Sequence, residues 1–248
     1  GAVLWRVPLI VHEQNAVPGA ANRLLARFAA RTAVSFPDTP LPRAEVVGNP
    51  VRAELFAAAD AGTPATPGRR RVLVFGGSLG ALSINQATFD AAGGPWRDRA
   101  DLSVHHVIGS RDWERFAQPP DVGALDYSVV EYEDDMPTEL ARADVVVCRG
   151  GSGTCFELAA TGTPAVIVPS LVTTGGQQVA NAERVVAIGG AVSLDDRALD
   201  ATLLADTVDE LLAAPDRLAA MAAALDELAA PDAAARVADL VEEHGRVR

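Results

Sequence analysis

The stretch Cys148–Gln178, CRGGSGTCFELAATGTPAVIVPSLVTTGGQQ, carries the strongest signal in this chain. The short apolar run Asp144–Val147 ahead of it has the length and composition of a buried strand. That strand breaks into Gly150-Gly151-Ser152-Gly153, and a helix is expected from about Thr154, carrying Glu157, until Gly162 and Pro164 stop it. A second buried strand follows at Ala165–Val168. A strand that ends in a glycine turn and opens a helix leaves several backbone N–H groups pointing outward, with the positive end of the helix dipole behind them. Such a turn suits phosphate.

On either side, apolar strands are expected at Val72–Phe75, Leu102–Val107, Tyr127–Glu131 and Ala191–Leu194. Helical segments separate them near Ala81–Ala92, Asp112–Phe116, Met136–Ala141 and Gln177–Ala187. Near-continuously apolar strands alternating with helices predict an α/β fold, a parallel sheet covered on both faces in a doubly wound domain. The tail reads as three helices: Leu199–Leu212, Arg217–Ala229 opened by Pro215, and Ala233–Glu243 capped by Asp232. Ahead of this domain, Val7–His12 reads as a buried strand with Glu13-Gln14-Asn15 at its carboxyl end. A helix with Leu24, Leu25 and Phe28 at helical spacing is expected over Ala20–Ala30, then short strands at Thr32–Phe36 and Glu45–Val47. Gly48–Arg52 is a turn, Ala57–Arg71 reads as a loop or linker, and a domain boundary belongs near Arg52. The abrupt start at GAVLWRVPLIVHEQN, on the approach to a strand, reads as a fragment.

Composition narrows the function. The chain has 248 residues, 49% of them hydrophobic, and a mean hydropathy of +0.14, ample for a core. Its net charge of -12 argues against nucleic acid as a partner, because neutralising phosphodiesters needs a basic face. All 21 basic residues are arginine. Cys148 and Cys155 lack metal-ligand spacing and read as reduced packing residues, while His12, His105, His106 and His244 are scattered, so spacing supports no metal site. No apolar run reaches the roughly 20 residues needed to span a bilayer.

A second glycine turn, Phe75-Gly76-Gly77-Ser78-Leu79-Gly80-Ala81, also joins a strand to a helix, and its serine hydroxyl can reach a phosphate oxygen. Lacking lysine, it is not the lysine-bearing phosphate loop, and it lacks the full dinucleotide fingerprint. Two such turns opening helices from one sheet could hold one diphosphate between them. Glu157 is then placed to accept hydrogen bonds from ribose hydroxyls, against the plainer reading of an acid in the first helical turn. Gln177 and Gln178, with Asn181 one turn on, suit sugar hydroxyls or are simply a polar helix start. The acidic run Glu131–Asp135 could hold Mg²⁺, but Asp134 and Asp135 are better read as the beginning of the next helix. His12 and Glu13 could do acid/base work or serve structure.

These pieces occur in one order: HEQNAVPGAANR, VVGNPVR, FGGSLGA, EDDM, CRGGSGTCFELAATGTPAVIVPS and GGQQVANA. The series resembles the MurG glycosyltransferase family, from Val11 almost to the carboxyl end. The resemblance implies a GT-B architecture of two Rossmann-like domains, divided here as 1–52 (part of the acceptor-side domain), 53–231 (the UDP-sugar domain) and 232–248 (a helix packing back on the first domain). It implies inverting, metal-independent transfer of N-acetylglucosamine from UDP-N-acetylglucosamine to the C4 hydroxyl of an undecaprenyl-linked muramyl-pentapeptide, in peptidoglycan synthesis at the cytoplasmic face of the bacterial membrane, with no cofactor.

Residue by residue, the resemblance places Asn15 on the donor sugar, Arg52 and Ser78 on the diphosphate, and Glu133 where backbone reads uracil. It has Gly151, Ser152, Gly153, Thr154, Cys155 and Phe156 supplying N–H groups, Glu157 binding ribose, and Gln177 and Gln178 binding sugar hydroxyls. Two departures stand out: Glu133 occupies a position usually apolar in the family, and GGSG is richer in glycine. The family's amino-terminal glycine-rich loops, which include the expected base, have no counterpart in these residues, so no general base is named and the fragment alone is expected to be inactive. The alternatives are another GT-B enzyme using UDP- or TDP-sugars, or a catalytically silent nucleotide-sugar-binding module.

Overall fold

A computed structural model of the chain describes residues 7–61, 68–172 and 174–245. Residues 1–6, 62–67, 173 and 246–248, which fall in the expected strand approach, the expected linker, the loop before Gln177 and the tail, lie outside the described residues.

Two parallel sheets organise the fold. The smaller has the order β1 (Ile10–Glu13), β2 (Arg31–Val34), β3 (Ala44–Val46). The larger is built from β4 (Arg70–Phe75), β5 (Leu102–Val107), β6 (Asp126–Val130), β7 (Val145–Cys148), β8 (Ala165–Ile167) and β9 (Ala191–Ser193). Its order is β6-β5-β4-β7-β8-β9, so the winding reverses between β4 and β7. Open α/β sheets bind ligands outside the carboxyl ends of the strands at such a reversal. The register pairs Phe75 with Cys148, so both strands end level and both glycine turns emerge side by side.

The helices cover both faces of the larger sheet. α3 (Leu82–Gly93) packs against α8 (Ala201–Leu212) over one face, where Val72, Val74, Val145, Val147 and Trp96 form a core. The opposite face buries Leu73, Val146 and Ile167 under α5 (Met136–Arg142), α6 (Ser152–Thr161), α7 (Gln177–Ala187) and α2 (Ala53–Ala61). Alternate residues of β4 and β7 thus serve opposite cores, as a strand with both faces covered requires. The remaining helices are α1 (Ala20–Leu25), α4 (Trp113–Phe116), α9 (Pro215–Leu225) and α10 (Ala233–Gly245). Leu240 and Val237 of α10 pack on Ala33 and Val47 of the smaller sheet's layer.

Four expectations need correction. Residues 57–61, expected to begin a linker, instead belong to α2 (Ala53–Ala61); alanine is the best helix former, and Leu55 anchors the helix in the core with no exposed surface. The first helix stops at Leu25, and Leu24, Leu25 and Phe28 are exposed while Ala26 and Ala29 face inward. The strand expected from Val7 begins at Ile10. Helix α6 starts at Ser152, two residues early, so Glu157 sits in its second turn and is not a first-turn acid.

β5 carries adjacent histidines that point to opposite faces. His106 is fully buried, its Nε2 3.0 Å from Asn85 Oδ1 and its Nδ1 2.8 Å from the Tyr127 hydroxyl. Asn85 spends its amide N–H groups on Ile108 O and Asp112 Oδ2, so its oxygen is the acceptor and the proton lies on Nε2. Burial, with His105 beside it, lowers the His106 pKa to about 3 from 6.5. The unfolded chain therefore binds a proton that the folded one refuses. This contribution to stability is complete above pH 6.5 and is lost as the pH falls toward 3, with a limiting slope of about 1.4 kcal/mol per pH unit. Urea melts at pH 7, 5 and 4 should show that slope, and a His106→Gln variant should have a flatter profile over the same range.

Candidate functional site

The two glycine turns are built differently. A Cβ on Gly76 would lie 2.4 Å from both Cβ and N of Ala81, so only glycine lets β4 turn this tightly into α3. A Cβ on Gly150 would lie 2.4 Å from Gln178 O, which lets α7 approach the other turn closely. Gly153 faces open space, a Cβ on Gly151 would meet Thr154 Oγ1 at 3.6 Å, and Gly151 stands at the N-cap of α6 with no side chain capping the helix. The unpartnered N–H groups of that first turn and its dipole therefore face the cleft.

The expectation that N–H groups from Gly151 through Phe156 serve a ligand is narrowed. Cys155 N–H is spent within the helix on Gly151 O at 3.0 Å, and the side chains of Cys155 and Phe156 are buried in the core. What remains open is the first turn, Ser152, Gly153 and Thr154. Cys148 and Cys155 are unpaired thiols whose pKa values burial raises.

Beside this turn a cavity of about 210 Å³ brings together Arg52, Ser78, Glu133, Thr154 and Glu157, with Phe75 at its base. Burial raises the Glu157 carboxyl, and the nearby Arg52 guanidinium pulls the other way. Glu133 is held by His105, whose Nε2 lies 2.9 Å from Glu133 Oε2 and whose Nδ1 lies 2.8 Å from Ser128 Oγ. The other Glu133 oxygen accepts from Asp135 N–H at 2.9 Å, and Asp135 in turn caps α5 by accepting from Thr138 N–H. The acidic loop is thus a helix start fastened to the sheet by a half-buried carboxylate. Among the described residues no group of three or more His, Cys, Asp or Glu could hold a metal ion.

The remaining expected residues sit at the other end of the α6 turn. Gln178 Oε1 accepts from Ser170 N–H at 2.8 Å, and Gln177 Nε2 reaches Val17 O at 3.3 Å. Asn15 Oδ1 accepts from Asn181 Nδ2 at 3.2 Å. Asn181, fully buried, also donates to Gly150 O at 3.1 Å and accepts from Ala16 N–H at 2.9 Å. One amide therefore ties the end of β1, the α6 glycine turn and α7 together. Glu13 serves structure, because its carboxylate accepts from Asn15 N–H, Asn15 Nδ2, Gly19 N–H and Asn22 Nδ2 at 2.9–3.0 Å. Burial works to raise its pKa, but these bonds leave it below the ordinary value. His12, its pKa lowered by burial, meets Ser35 Oγ at 3.3 Å.

Residues 71–237 match the family model of the glycosyltransferase family 28 C-terminal domain. The chain belongs to this family. Within it the chain is similar to MurG-type enzymes. It is 43% identical to the UDP-N-acetylglucosamine–N-acetylmuramyl-(pentapeptide) pyrophosphoryl-undecaprenol N-acetylglucosamine transferase of a Nocardioides species, over 96% of this chain and 67% of that one. It is 38% identical to the enzyme of the same name from Frankia casuarinae, over 98% and 66%. The crystal structure of Acinetobacter baumannii MurG superposes with a TM-score of 0.79 at 28% identity, covering 98% of this chain and 69% of that one. The chain spans about two thirds of the length of the curated relatives it matches.

Two residues of this family 28 chain matter more than their sequence context suggests, His105 and Asn181. Adjacent histidines inside an apolar strand are themselves a signal, since one must face each core and each then needs partners. Replacing Asn181 with Ala would strand Ala16 N–H and Gly150 O in a buried place, so denaturant unfolding should show a loss of about 2–4 kcal/mol. Aspartate, which can accept but not donate, should recover only part of it.

Proposed function

We propose that this chain carries the donor half of an inverting N-acetylglucosaminyltransferase acting on the undecaprenyl-linked muramyl-pentapeptide. The observation that carries it is the convergence of Arg52, Ser78, Glu133, Thr154 and Glu157 on one cavity beside the uncapped start of α6. In this reading the uracil lies against the loop at Glu133, which the His105 contact holds in place. The ribose hydroxyls donate to Glu157, and the diphosphate meets the first-turn N–H groups of α6 together with Ser78 and Arg52. Gln177, Gln178 and Asn15 meet the sugar.

When the acceptor C4 hydroxyl attacks the anomeric carbon, the glycosidic C–O bond breaks and UDP leaves. Negative charge then grows on the β-phosphate, where fixed N–H dipoles and a guanidinium stabilise it without having to reorganise. Residues 53–231 form the donor unit in this proposal, residues 1–52 belong to the acceptor-side unit, and α10 within 232–248 braces that unit through Leu240. No helix among the described residues is long and apolar enough to cross a membrane. Contact with the cytoplasmic face of the bacterial membrane is proposed as peripheral, and nucleic acid is not a proposed partner.

Calorimetry with UDP-N-acetylglucosamine and UDP-glucose should show tighter binding of the former, and Glu157→Ala should weaken binding about tenfold or more. Absence of binding, or indifference to the substitution, would overturn the reading. Because ribose hydroxyls favour the ionised carboxylate, binding should lower the Glu157 pKa from its raised free value. Affinity should accordingly fall as the pH drops through the free-state pKa, and less so in Glu157→Gln.

A further inference from the structure

The Gly76–Gly80 turn, which carries the proposed Ser78 contact, borders two cavities. The one beside α6 touches Gly77 and Ser78, and another of about 630 Å³, lined by Arg111, Arg115 and Arg149, touches Gly76 and Gly80. With Ser78 and Leu79 exposed and the rest of the turn glycine, side-chain packing contributes little to its position. Its place is set by whatever fastens its backbone.

The fastening comes from residues 108–112, which follow β5. Ser110 N–H donates to Ser78 O at 3.2 Å, Arg111 N–H to Leu79 O at 3.3 Å, and the Arg111 guanidinium to Gly80 O at 3.1 Å. All three bonds end on carbonyls, so the Ser78 hydroxyl stays available to a ligand. The two segments lie so close that neither glycine at the contact admits a side chain. A Cβ on Gly109 would stand 2.2 Å from Gly80 N, and one on Gly80 2.2 Å from Ile108 O. Towards β6 the same segment continues the sheet pairing, Ile108 N–H donating to Val130 O at 2.9 Å and Gly109 N–H to Glu131 O at 3.0 Å. Residues 108–112 therefore bridge the phosphate turn and the base loop, and their position sets the distance between Ser78 and Glu133.

One buried amide holds this bridge at both of its ends. Asn85, on α3 and fully buried, donates through Nδ2 to Ile108 O and to Asp112 Oδ2, both at 3.0 Å, and its Oδ1 accepts from His106 Nε2 at 3.0 Å. Ile108 O can only accept, so the amide has one usable orientation, and the His106–Tyr127 pair behind it keeps it there. Helix formation alone would favour alanine or leucine at this position, and a buried amide is tolerated only because its partners are met.

We propose that Asn85 is a positioning residue for the diphosphate: acting through residues 108–112, it holds the Ser78 turn at the reach of a nucleoside diphosphate from the base loop. The inference rests on the donor reading above and extends it to a group that lines neither cavity.

The test compares uridine, which has no phosphate, with UDP, by ligand-observed NMR and calorimetry on the whole chain. Asn85→Ala should reduce the affinity gained from the diphosphate about tenfold and leave uridine affinity within about twofold, because the base loop keeps its own fastening through His105 and Asp135. A residue that only stabilised the fold would move both ligands together or neither. Ser78→Ala should cost UDP affinity in the wild type and little in Asn85→Ala, the coupling expected when one residue acts through the other. Asp112→Ala removes only one of the two bonds and carries the test if Asn85→Ala does not fold; it should lower the same gain by a smaller factor. Asn85→Asp sets an oxygen against Ile108 O and Asp112 and should be at least as damaging as alanine. Adding Asp112→Asn to it restores one N–H···O bond and should recover part of the gain. An unchanged diphosphate gain, or equal loss of uridine and UDP, would overturn the proposal. If UDP binding depends on Glu157 but not on Asn85, this proposal falls and the donor reading stands. If neither UDP nor UDP-N-acetylglucosamine binds the wild type, both fall.

Discussion

The buried amide of Asn181 is the contact on which the cleft depends. Two sheets that share no strand pairing must be held in register where the ligand would sit, and a purely apolar contact there would slide at little cost. Asn181 removes that freedom by taking one hydrogen bond from Ala16 and giving one each to Asn15 and Gly150. Ala16 N–H and Gly150 O, both buried, would be stranded without it, so the arrangement is specific as well as stable. Phe36, edge-on to Phe156 with ring centroids 4.9 Å apart, adds the apolar part of the same junction.

Around that junction the cleft divides into regions of different electrostatics. The cavity beside α6 holds the Glu157 carboxyl, whose pKa burial raises, and the Arg52 guanidinium, which opposes that shift. The α6 turn between the regions offers backbone dipoles with no side-chain charge. Beyond the Gly76–Gly80 turn, arginine outnumbers carboxylate. Four of the 21 arginines, Arg52, Arg111, Arg115 and Arg149, line the two cavities at the carboxyl ends of the strands, so an acidic protein carries positive charge locally there.

Much of the fold was legible because it rests on period and punctuation. The apolar runs at Val72–Phe75 and Asp144–Val147, each ending in glycines, announced a parallel sheet with two phosphate-suited turns, and six parallel strands are present. The errors came where composition misleads. The alanines of 57–61 read as the start of a linker because alanine is neither clearly apolar nor clearly polar, yet they continue α2, which Leu55 and Phe56 dock on the core. Leu24, Leu25 and Phe28 stand at helical spacing, but the helix expected to reach Ala30 ends at Leu25 and the smaller Ala26 and Ala29 take the inner positions. His105 read only as one of four scattered histidines because its partner, Glu133, lies 28 positions away.

The α/β class, the strand-to-helix glycine turns, the open start of α6, and the residue types able to meet phosphate, ribose and sugar are all written in the amino-acid order. These are local properties, set by backbone sterics, helix ends and side-chain chemistry within a few residues. The folded chain was needed to show that Arg52, Ser78, Glu133 and Glu157 share one cavity, that Cys155 N–H is consumed within the helix, and that Asn181 joins the two sheets. Folding also places Arg111, Arg115 and Arg149 around a single cavity from separate elements. Those facts depend on strand order and on contacts between residues tens of positions apart. Topology sets such contacts, and no short stretch of sequence encodes them.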